Sequence, residues 1–316
     1  MSKVLITGGA GFIGSHLIER FMNDVLHSEI IVIDNLSTGH HNKRILKSFS
    51  IKLVVGDIES EKTLETLPKD IEVIIHLAAM NRASRSIKDP VKSNVVNING
   101  TVNVLEMARK LDCRVIFTSS SSVFGHLSIM PRPENTSDFL PSHPYGLGKM
   151  TSEHYCRLYH ELYGLDSRVI RYFAVYGPRQ SPKLTYSAVI PKFINAALCR
   201  HPIKIFGGNQ TRNFTFVKDT VEATYLLSTA QKVKHRIYQV GGTEEISINQ
   251  LADTLEEILG KKLERQYYDY AKGDIFRSIP AINHLKEEFG FVPTYKFREG
   301  LKETFEWFKA HPNYFD

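Results

Sequence analysis

The sequence is poor in the features that mark secreted, membrane-spanning and metal-binding proteins. Its 316 residues include only three cysteines, Cys113, Cys156 and Cys199, an odd number at wide spacing. This rules against a disulfide framework or a cysteine-based zinc site and favours a reducing cytoplasm. No apolar run approaches the length of a membrane span, and glycines interrupt the apolar start, Val4 to Ile6, before it could form a signal segment. We therefore expect neither export nor a membrane anchor.

Concentrated charge is also lacking. The formal net charge of +6 comes from 40 basic and 34 acidic residues, and no block of five or more like charges occurs. The sequence therefore predicts no nucleic-acid partner. The pair His40 and His41 has no carboxylate or cysteine at ligand spacing, so no metal site is predicted. With 42% hydrophobic and 23% charged residues, the composition is that of an ordinary globular protein.

Strand-like apolar runs alternate with helix-like patterns through the first half of the chain. Pro90 to Lys110 and Tyr145 to Tyr163 carry apolar residues three and four positions apart, which is typical of amphipathic helices. The alternation predicts an α/β fold with a doubly wound parallel sheet, the Rossmann arrangement. The strand-like runs are Lys3 to Thr7, Ile30 to Asp34, Lys52 to Val55, Val73 to Leu77, Arg114 to Ser119 and Ser167 to Tyr172.

The second half has a different texture after Gly177. Short pieces punctuated by proline and glycine replace the long alternation. They include strand patterns around Ile203 to Phe206 and Gln239 and helix patterns near Ile248 to Leu259 and Leu301 to Phe308. We expect a smaller α/β domain packed over the carboxyl edge of the sheet, in one rigid unit with a cleft.

A glycine-rich turn directly follows the first strand. Gly8, Gly11 and Gly14 lie within residues 7–14, before the helical pattern Ser15 to Met22. Glycines at this spacing allow a tight turn and let backbone amides approach a pyrophosphate. Asp34, about twenty residues on, ends the second strand, where it can accept hydrogen bonds from a ribose. Because its carboxylate would repel the extra phosphate of NADP, the pattern predicts NAD.

Two further strand ends carry polar residues. At the end of the third strand, the Asp57 carboxylate can bind the adenine amino group and the Ile58 side chain can cover the ring. His76 closes the fourth strand after three apolar residues, and we interpret it as structural rather than catalytic.

Tyr145 and Lys149 are four residues apart in a helical pattern, so their side chains share one face. An ammonium beside a phenol lowers the phenol pKa from its ordinary value of about 10, and a positive nicotinamide ring lowers it further. Tyr145 is therefore predicted to act as a base near neutral pH.

With these motifs in place, the chain resembles an extended short-chain dehydrogenase/reductase of the nucleotide-sugar epimerase and dehydratase group. The likeness runs nearly from end to end. It is carried by the glycine turn, DNLSTG of Asp34 to Gly39, HLAA of His76 to Ala79, SSxxVFG around Ser120, YGLGK of Tyr145 to Lys149, and RYFAVYGPRQ of Arg171 to Gln180.

The resemblance implies a catalytic set. Ser120 would hydrogen-bond the reacting hydroxyl, Tyr145 would take its proton, and Lys149 would hold the nicotinamide ribose while tuning Tyr145. It implies that residues 1–172 and 214–242 form the NAD-binding domain and residues 173–213 and 243–316 the nucleotide-sugar-binding domain. The NAD contacts would be made by Gly8, Gly11, Phe12, Ile13, Gly14, Asp34, Asn35, Leu36, Ser37, Thr38, Gly39, Asp57, Ile58, Leu77, Ala78, Ala79, Asn97, Tyr145, Lys149 and Phe173.

The reaction is inferred from what precedes the VFG turn. Relatives that dehydrate the sugar or decarboxylate a uronic acid carry an acidic residue there, and this chain has Ser121 and Ser122. The resemblance then implies epimerisation at C4 through a transient 4-ketosugar. A 4,6-dehydratase, a 4-dehydrogenase and a non-catalytic NAD-binding regulatory protein remain alternatives.

The resemblance also implies a substrate site and a homodimer built from the two long helices. Ser278 leaves room for an N-acetyl group, so UDP-N-acetylglucosamine stands beside UDP-glucose. Two positions depart from the family pattern, because Ala174 replaces an asparagine and Ala271 a diphosphate-binding arginine. The substrate contacts would be made by Ser120, Val189, Phe206, Arg212, Asp274 and Ser278.

Overall fold

A computed structural model describes residues 3–24, 29–38, 42–49, 51–183, 187–270 and 275–315. Its strands are β1 (Lys3–Thr7), β2 (Glu29–Asp34), β3 (Lys52–Val55), β4 (Val73–His76), β5 (Arg114–Ser120), β6 (Ser167–Tyr172), β7 (Val175–Tyr176), β8 (Ile203–Phe206), β9 (Thr211–Asn213), β10 (Thr215–Phe216), β11 (Ile237–Val240), β12 (Glu245–Ser247) and β13 (Arg265–Tyr268).

The α-helices have the following bounds: α1 (Phe12–Met22), α2 (Lys43–Ser48), α3 (Glu61–Glu65), α4 (Ala83–Lys88), α5 (Pro90–Asn94), α6 (Gly100–Leu111), α7 (Pro144–Tyr163), α8 (Val189–Leu198), α9 (Val217–Thr229), α10 (Ile248–Leu259), α11 (Asn283–Phe289) and α12 (Phe297–Ala310). A π-helical turn, Val95–Asn99, joins α5 to α6, and a 3₁₀ turn, Ser121–Val123, follows β5. No helix of the described ranges is both long and apolar enough to cross a membrane.

Seven parallel strands form the central sheet, in the order β11, β6, β5, β4, β1, β2, β3. Successive residues of each strand point to opposite faces, so Ile6 and Leu5 enter two separate apolar cores. One core packs against α1 and α9, and the other against α6 and α7. This architecture confirms the predicted doubly wound Rossmann fold. Each of the six predicted strands of the first half is present to within one residue at either end.

Apart from β11, the strands that follow β6 form three two-stranded sheets. β7 pairs with β10 in parallel, β9 with β12 antiparallel, and β8 with β13 in parallel. A capping box starts α10, with Ser247 and Gln250 satisfying each other's backbone amides. Phe297, Leu301 and Phe305 of α12 join the same apolar core as β1 and β6. The second half is therefore packed directly onto the sheet.

Two predicted helices differ from the structure. The first begins at Phe12 rather than Ser15. The predicted helix Pro90 to Lys110 is not a regular α-helix, because one π-helical turn interrupts it. The reason is Asn97, whose amide oxygen accepts from the Met80 amide at 2.8 Å while its nitrogen donates to the Met80 carbonyl at 3.2 Å. The wider π-helical turn places the Asn97 side chain against the Met80 backbone.

A buried ion pair connects α7 to the sheet. Arg171, 0% exposed on β6, donates to both carboxylate oxygens of Glu153 at 2.9 and 2.7 Å. The same carboxylate accepts from Ser119 of β5 at 2.5 Å. All three side chains are buried, so each depends on the others for hydrogen bonds.

We expect Arg171→Met to reduce the free energy of unfolding, measured by urea denaturation, by about 3–5 kcal/mol, because it leaves the Glu153 carboxylate buried without its cation. Arg157→Met is the matched control, since Arg157 pairs with Glu161 at 2.7 Å on the exposed face of α7. That change should cost less than about 1 kcal/mol. Equal losses in the two variants would contradict the role given to the buried pair.

Candidate active site

A cavity of about 240 Å³ lies at the carboxyl ends of β1, β2, β3 and β4. In a doubly wound sheet this edge is where ligands bind, because the loops diverge there to opposite faces. The predicted cofactor residues that line the cavity are Gly8, Gly11, Phe12, Ile13, Gly14, Asp34, Asn35, Ser37, Thr38, Asp57, Ile58, Leu77, Ala78 and Ala79.

Close backbone contacts form the floor of this cavity. Gly8 has a φ of 71°, and a Cβ atom added to it would lie 2.7 Å from the Ala78 backbone nitrogen. At Gly14 such an atom would lie 2.6 Å from the Gly9 Cα atom. Any larger residue at these positions would push the β1–α1 turn away from its neighbours. The turn therefore presents bare backbone, as an approaching pyrophosphate requires.

Asp34 links the two loops beside the cavity. Its carboxylate accepts from the Ala10 amide at 3.0 Å and from the Leu36 amide at 2.7 Å. Burial raises the pKa of Asp34, and the two amides act in the opposite direction. Next to it, the Asn35 amide donates to the Asp57 carboxylate at 2.6 Å. The acidic side chains at the ends of β2 and β3 thus lie together at one end of the cavity.

Some predicted cofactor residues do not line the cavity. Leu36 has a left-handed φ of 57° and contributes a backbone amide to Asp34. Asn97 fixes the Met80 backbone from behind, and Phe173 is buried against Phe124. Gly39 lies outside the described residues.

The structure adds lining residues that the motifs did not predict. Met80, Asn81 and Arg85 extend the wall formed by the HLAA motif, so continuing that motif into α4 would have found them. Lys92 reaches the cavity from α5 and pairs with Glu59 at 2.7 Å. The other unpredicted lining residues are Ile33, Gly56, Glu59 and Val96.

His76 is held between two threonines beneath the cavity. Its Nδ1 lies 2.7 Å from the Thr7 hydroxyl, and its Nε2 lies 3.1 Å from the Thr101 hydroxyl. Because Thr101 donates to the Asn97 carbonyl, it accepts from Nε2, which assigns the proton of the ring to that nitrogen. Burial and the charge of Lys149 lower the pKa of His76 to about 3, so the ring is neutral. This placement agrees with the structural interpretation of His76.

The predicted catalytic residues come together where β5 ends and α7 begins. Pro144 occupies the first turn of α7, whose cap is His143. The Tyr145 amide donates to the Ser86 hydroxyl at 3.1 Å, and the Ser120 side chain lies close enough to the phenol to act on its pKa. Lys149, one turn later, donates to the Thr118 carbonyl at 2.7 Å, and its ammonium lies 4.6 Å from the centre of the Phe117 ring. Tyrosine, serine and lysine thus lie around one strand end.

In this arrangement Lys149 is not among the groups that lower the pKa of Tyr145. Burial raises the pKa of Tyr145, and the nearby Ser120 side chain and the positive charge of Arg82 act against that rise. The Lys149 ammonium is instead directed at the Thr118 carbonyl. Burial lowers the pKa of Lys149 to about 8. The cation that acts on the phenol is therefore one that the motifs did not identify.

The predicted substrate residues lie in the second half of the chain. Val189 begins α8, and Phe206 ends β8, where its ring stacks on Tyr268 at 5.1 Å. Arg212 is the middle residue of β9 and Ser278 is buried. The flanking residues of β9 bond the segment around Ser278, with the Asn213 amide donating to its carbonyl at 3.2 Å. Asp274 and Ala271 lie outside the described residues.

Among the residues that are described, no three His, Cys, Asp or Glu side chains gather as metal ligands would.

The chain is similar to known enzymes over almost its whole length. A curated relative, a putative UDP-glucose 4-epimerase of Methanocaldococcus jannaschii, is 36% identical over 309 residues, covering 97% of this chain and 98% of the relative. The UDP-glucose 4-epimerase of Thermotoga maritima, solved with UDP-glucose, superposes with a TM-score of 0.90 at 32% identity, covering 98% of this chain and 100% of the other.

A UDP-N-acetylglucosamine 4-epimerase from Methanobrevibacter ruminantium, solved with UDP-N-acetylmuramic acid, also has a TM-score of 0.90, at 34% identity and with 98% and 99% of the chains covered. The similar structures include a dTDP-glucose 4,6-dehydratase from Streptomyces venezuelae with NAD bound, at 28% identity, a TM-score of 0.89 and 99% coverage of both chains. Epimerases and dehydratases therefore share this fold closely.

The model of the NAD dependent epimerase/dehydratase family matches residues 4–241. This match confirms the resemblance drawn from the motifs and the predicted cofactor, NAD. The chain belongs to the NAD dependent epimerase/dehydratase family, and it is an NAD-dependent enzyme.

Proposed function

We propose that the protein epimerises a UDP-activated hexose at C4. The observation that carries the proposal is the contact of Ser120 with Tyr145, one helical turn from Lys149. This group lies beside the proposed cofactor cavity, because α7 packs against Asn97 at Gly148, and the adjacent Val96 lines the cavity. An acid/base pair next to a nicotinamide site suits reversible oxidation of a secondary alcohol.

The cavity suits NAD in its chemistry. The bare turn from Gly8 to Gly14 would hold the pyrophosphate, Asp34 the adenosine ribose, and Asp57 with Ile58 the adenine. When bound, NAD supplies a reversible acceptor for the hydride of the sugar carbon.

We propose that the domain containing this cavity comprises residues 1–172 and 214–242. Its support is that β11 completes the central sheet beside β6, and that α9 packs on α1.

The side chains of the proposed active site would handle the proton of the 4-hydroxyl. Tyr145 would take that proton and return it after the ring has turned, and Ser120 would hold the hydroxyl in line. Lys149 would orient the cofactor ribose. A sugar bound in either orientation could use the same phenol, which is what epimerisation at one carbon requires.

The 3₁₀ turn after β5 favours epimerisation over dehydration. Its three residues, Ser121, Ser122 and Val123, carry no carboxylate, and Ser122 is bonded through its amide to the Ser120 hydroxyl at 3.2 Å. Elimination of water needs a base at a second carbon of the sugar. A 4,6-dehydratase or a 4-dehydrogenase is therefore the second candidate, and it is supported by the dehydratase among the similar structures.

Residues of the second half would bind the nucleotide. Arg212 would bind the diphosphate, Asp274 would also contact the substrate, and Val189 and Phe206 would contact the nucleobase and ribose. Ser278 would border the sugar. The exposed face of Phe206, 48% accessible at the end of β8, supports this assignment. Residues 173–213 and 243–316 would then form the nucleotide-sugar-binding domain, and UDP-glucose and UDP-N-acetylglucosamine are its first candidate substrates.

We also propose that the protein is a cytoplasmic homodimer. Apolar side chains are exposed along α5 and α7, among them Val91 at 74% and Leu162 at 67%. Pairing these helices with those of a second copy would bury the patch.

A substitution of Gly8 tests the cofactor cradle. Gly8→Ala should lower the affinity for NAD by at least about tenfold, because the new methyl group meets the Ala78 backbone. Titration of NADH fluorescence measures the change. Gly164→Ala is the matched control: φ is also 71°, but no atom lies within 4 Å of the added Cβ. It should cost only about 1–2 kcal/mol of stability, and an equal loss of NADH binding in both variants would refute the cradle.

The reaction is tested by separating the products of UDP-glucose and UDP-N-acetylglucosamine by chromatography and mass. We expect conversion to an isobaric sugar nucleotide without net NADH. A product lighter by one water would establish a dehydratase, and accumulating NADH a dehydrogenase. Tyr145→Phe should slow turnover about 10²–10⁴-fold because no base remains. Full activity of Tyr145→Phe would contradict the proposed role of Tyr145 as the base.

The dimer is tested by light scattering after gel filtration. The wild-type protein should have twice the chain mass of 36.0 kDa. Val91→Glu combined with Leu162→Glu should give the mass of one chain, because charged side chains in the contact cannot be desolvated without partners. Ile129→Glu, at a loop residue that is 50% exposed, serves as the control and should leave the dimer intact. A single-chain mass for the wild type would contradict the proposal.

A further inference from the structure

Arg82 is a half-buried cation for which no carboxylate among the described residues provides a partner. Its Nε atom is shut off from solvent and has no hydrogen-bond partner. Burial lowers its pKa, and the one group that acts in the opposite direction is the Tyr145 phenol. Two buried arginines of β6, by contrast, are paired: Arg171 binds Glu153, and Arg168 binds Asp166. A guanidinium whose Nε is removed from water without a hydrogen-bond partner carries a desolvation cost, which a ligand of opposite charge would offset.

The backbone of Arg82 adopts a strained conformation. Its φ of 83° lies in the left-handed region, which a residue with a long side chain rarely adopts. Arg82 follows Asn81, which lines the proposed cofactor cavity, and precedes α4. One turn later Ser86 accepts the Tyr145 amide, so α4 is fastened to the start of α7. Strain of this kind persists where the surrounding structure demands one side-chain position.

Arg82 lies near the start of α7, because α4, which it directly precedes, is bonded to the Tyr145 amide through Ser86. The charge of Arg82 acts on Tyr145 and also lowers the pKa of Lys192, which is on α8 three residues after Val189. Arg82 itself does not line the NAD cavity. It therefore lies between the phenol that would face the sugar and the helix that would face the nucleotide.

We propose that Arg82 binds a carboxylate carried by the sugar of the substrate, so that the natural substrate is an acidic UDP-sugar. The planar guanidinium fork matches a carboxylate in two hydrogen bonds, and Lys192 adds a second positive charge nearby. A neutral hexose would leave Arg82 unpaired. This inference rests on the proposed epimerase function, because Tyr145 marks the position of the sugar.

The test compares four ligands by calorimetry on the full-length protein loaded with NAD. UDP reports the nucleotide contacts, UDP-glucose the neutral sugar, UDP-glucuronate a carboxylate at C6, and UDP-N-acetylmuramic acid a carboxylate on a side group. We expect at least one acidic ligand to bind about tenfold or more tightly than UDP-glucose. Equal affinity of the neutral and both acidic sugars would overturn the proposal, and this arm needs no variant.

Variants then assign the preference to Arg82. Arg82→Gln should remove the preference for the acidic sugar and leave the affinity for UDP within about twofold, because the nucleotide does not touch this side chain. Arg82→Lys keeps the charge without the fork and should retain part of the preference. Lys88→Gln, which removes an exposed charge from the adjacent helix α4, should change neither affinity. Thermal melting verifies that each variant is folded.

If Arg82→Gln weakens UDP as much as the acidic sugar, the arginine binds the diphosphate and the proposal fails. Failure of the epimerase function has a different signature. An acidic preference that depends on Arg82, without any isobaric product, would leave this inference standing and remove the proposed reaction. If the protein epimerises UDP-glucose but binds acidic sugars no more tightly, the proposed reaction stands and the inference about Arg82 fails.

Discussion

The site depends on the hydrogen bonds of one neutral imidazole. His76 ends β4, and its two ring nitrogens join the end of β1 through Thr7 to the helix α6 through Thr101. Its own carbonyl accepts from the Thr118 hydroxyl of β5 at 2.8 Å. The Thr118 carbonyl in turn accepts from Lys149. The strands that form the cavity and the helix that carries the tyrosine are thus fixed by consecutive contacts, and a second proton on Nδ1 would require the Thr7 hydroxyl to stop donating to it.

Burial then decides how charge is distributed around those contacts. Lys149 stays close to His76, and its charge is one reason why the imidazole is neutral. The Phe117 ring faces the ammonium and offsets part of its loss of water. Tyr145 keeps a raised pKa because burial outweighs the nearby Ser120 and Arg82. The pKa of the phenol is therefore set by its burial, by Ser120 and by Arg82 on the α4 side.

The sequence revealed the parts of the molecule that repeat a simple pattern. Parallel strands buried on both faces read as continuous apolar runs, so their ends could be placed to within a residue. The glycine turn and Asp34 likewise predicted residues that line one cavity, since their spacing follows from backbone geometry. What it could not reveal depends on unusual backbone. Arg82 adopts a left-handed conformation that no periodicity signals, and the π-helical turn keeps its apolar spacing close to that of an ordinary helix.

That widened turn also limits how the family can vary in length at this point. Removing one residue from Val95–Asn99 would restore an ordinary α-helix and rotate everything before it by about 100° relative to α6. Asn97 would then turn away from Met80, and Val91 would leave the exposed side of α5. A single deletion would therefore disturb the cavity wall and the outer apolar patch together. We consequently expect a one-residue insertion or deletion to be tolerated in the surface loops of this chain and to be disruptive in this helix.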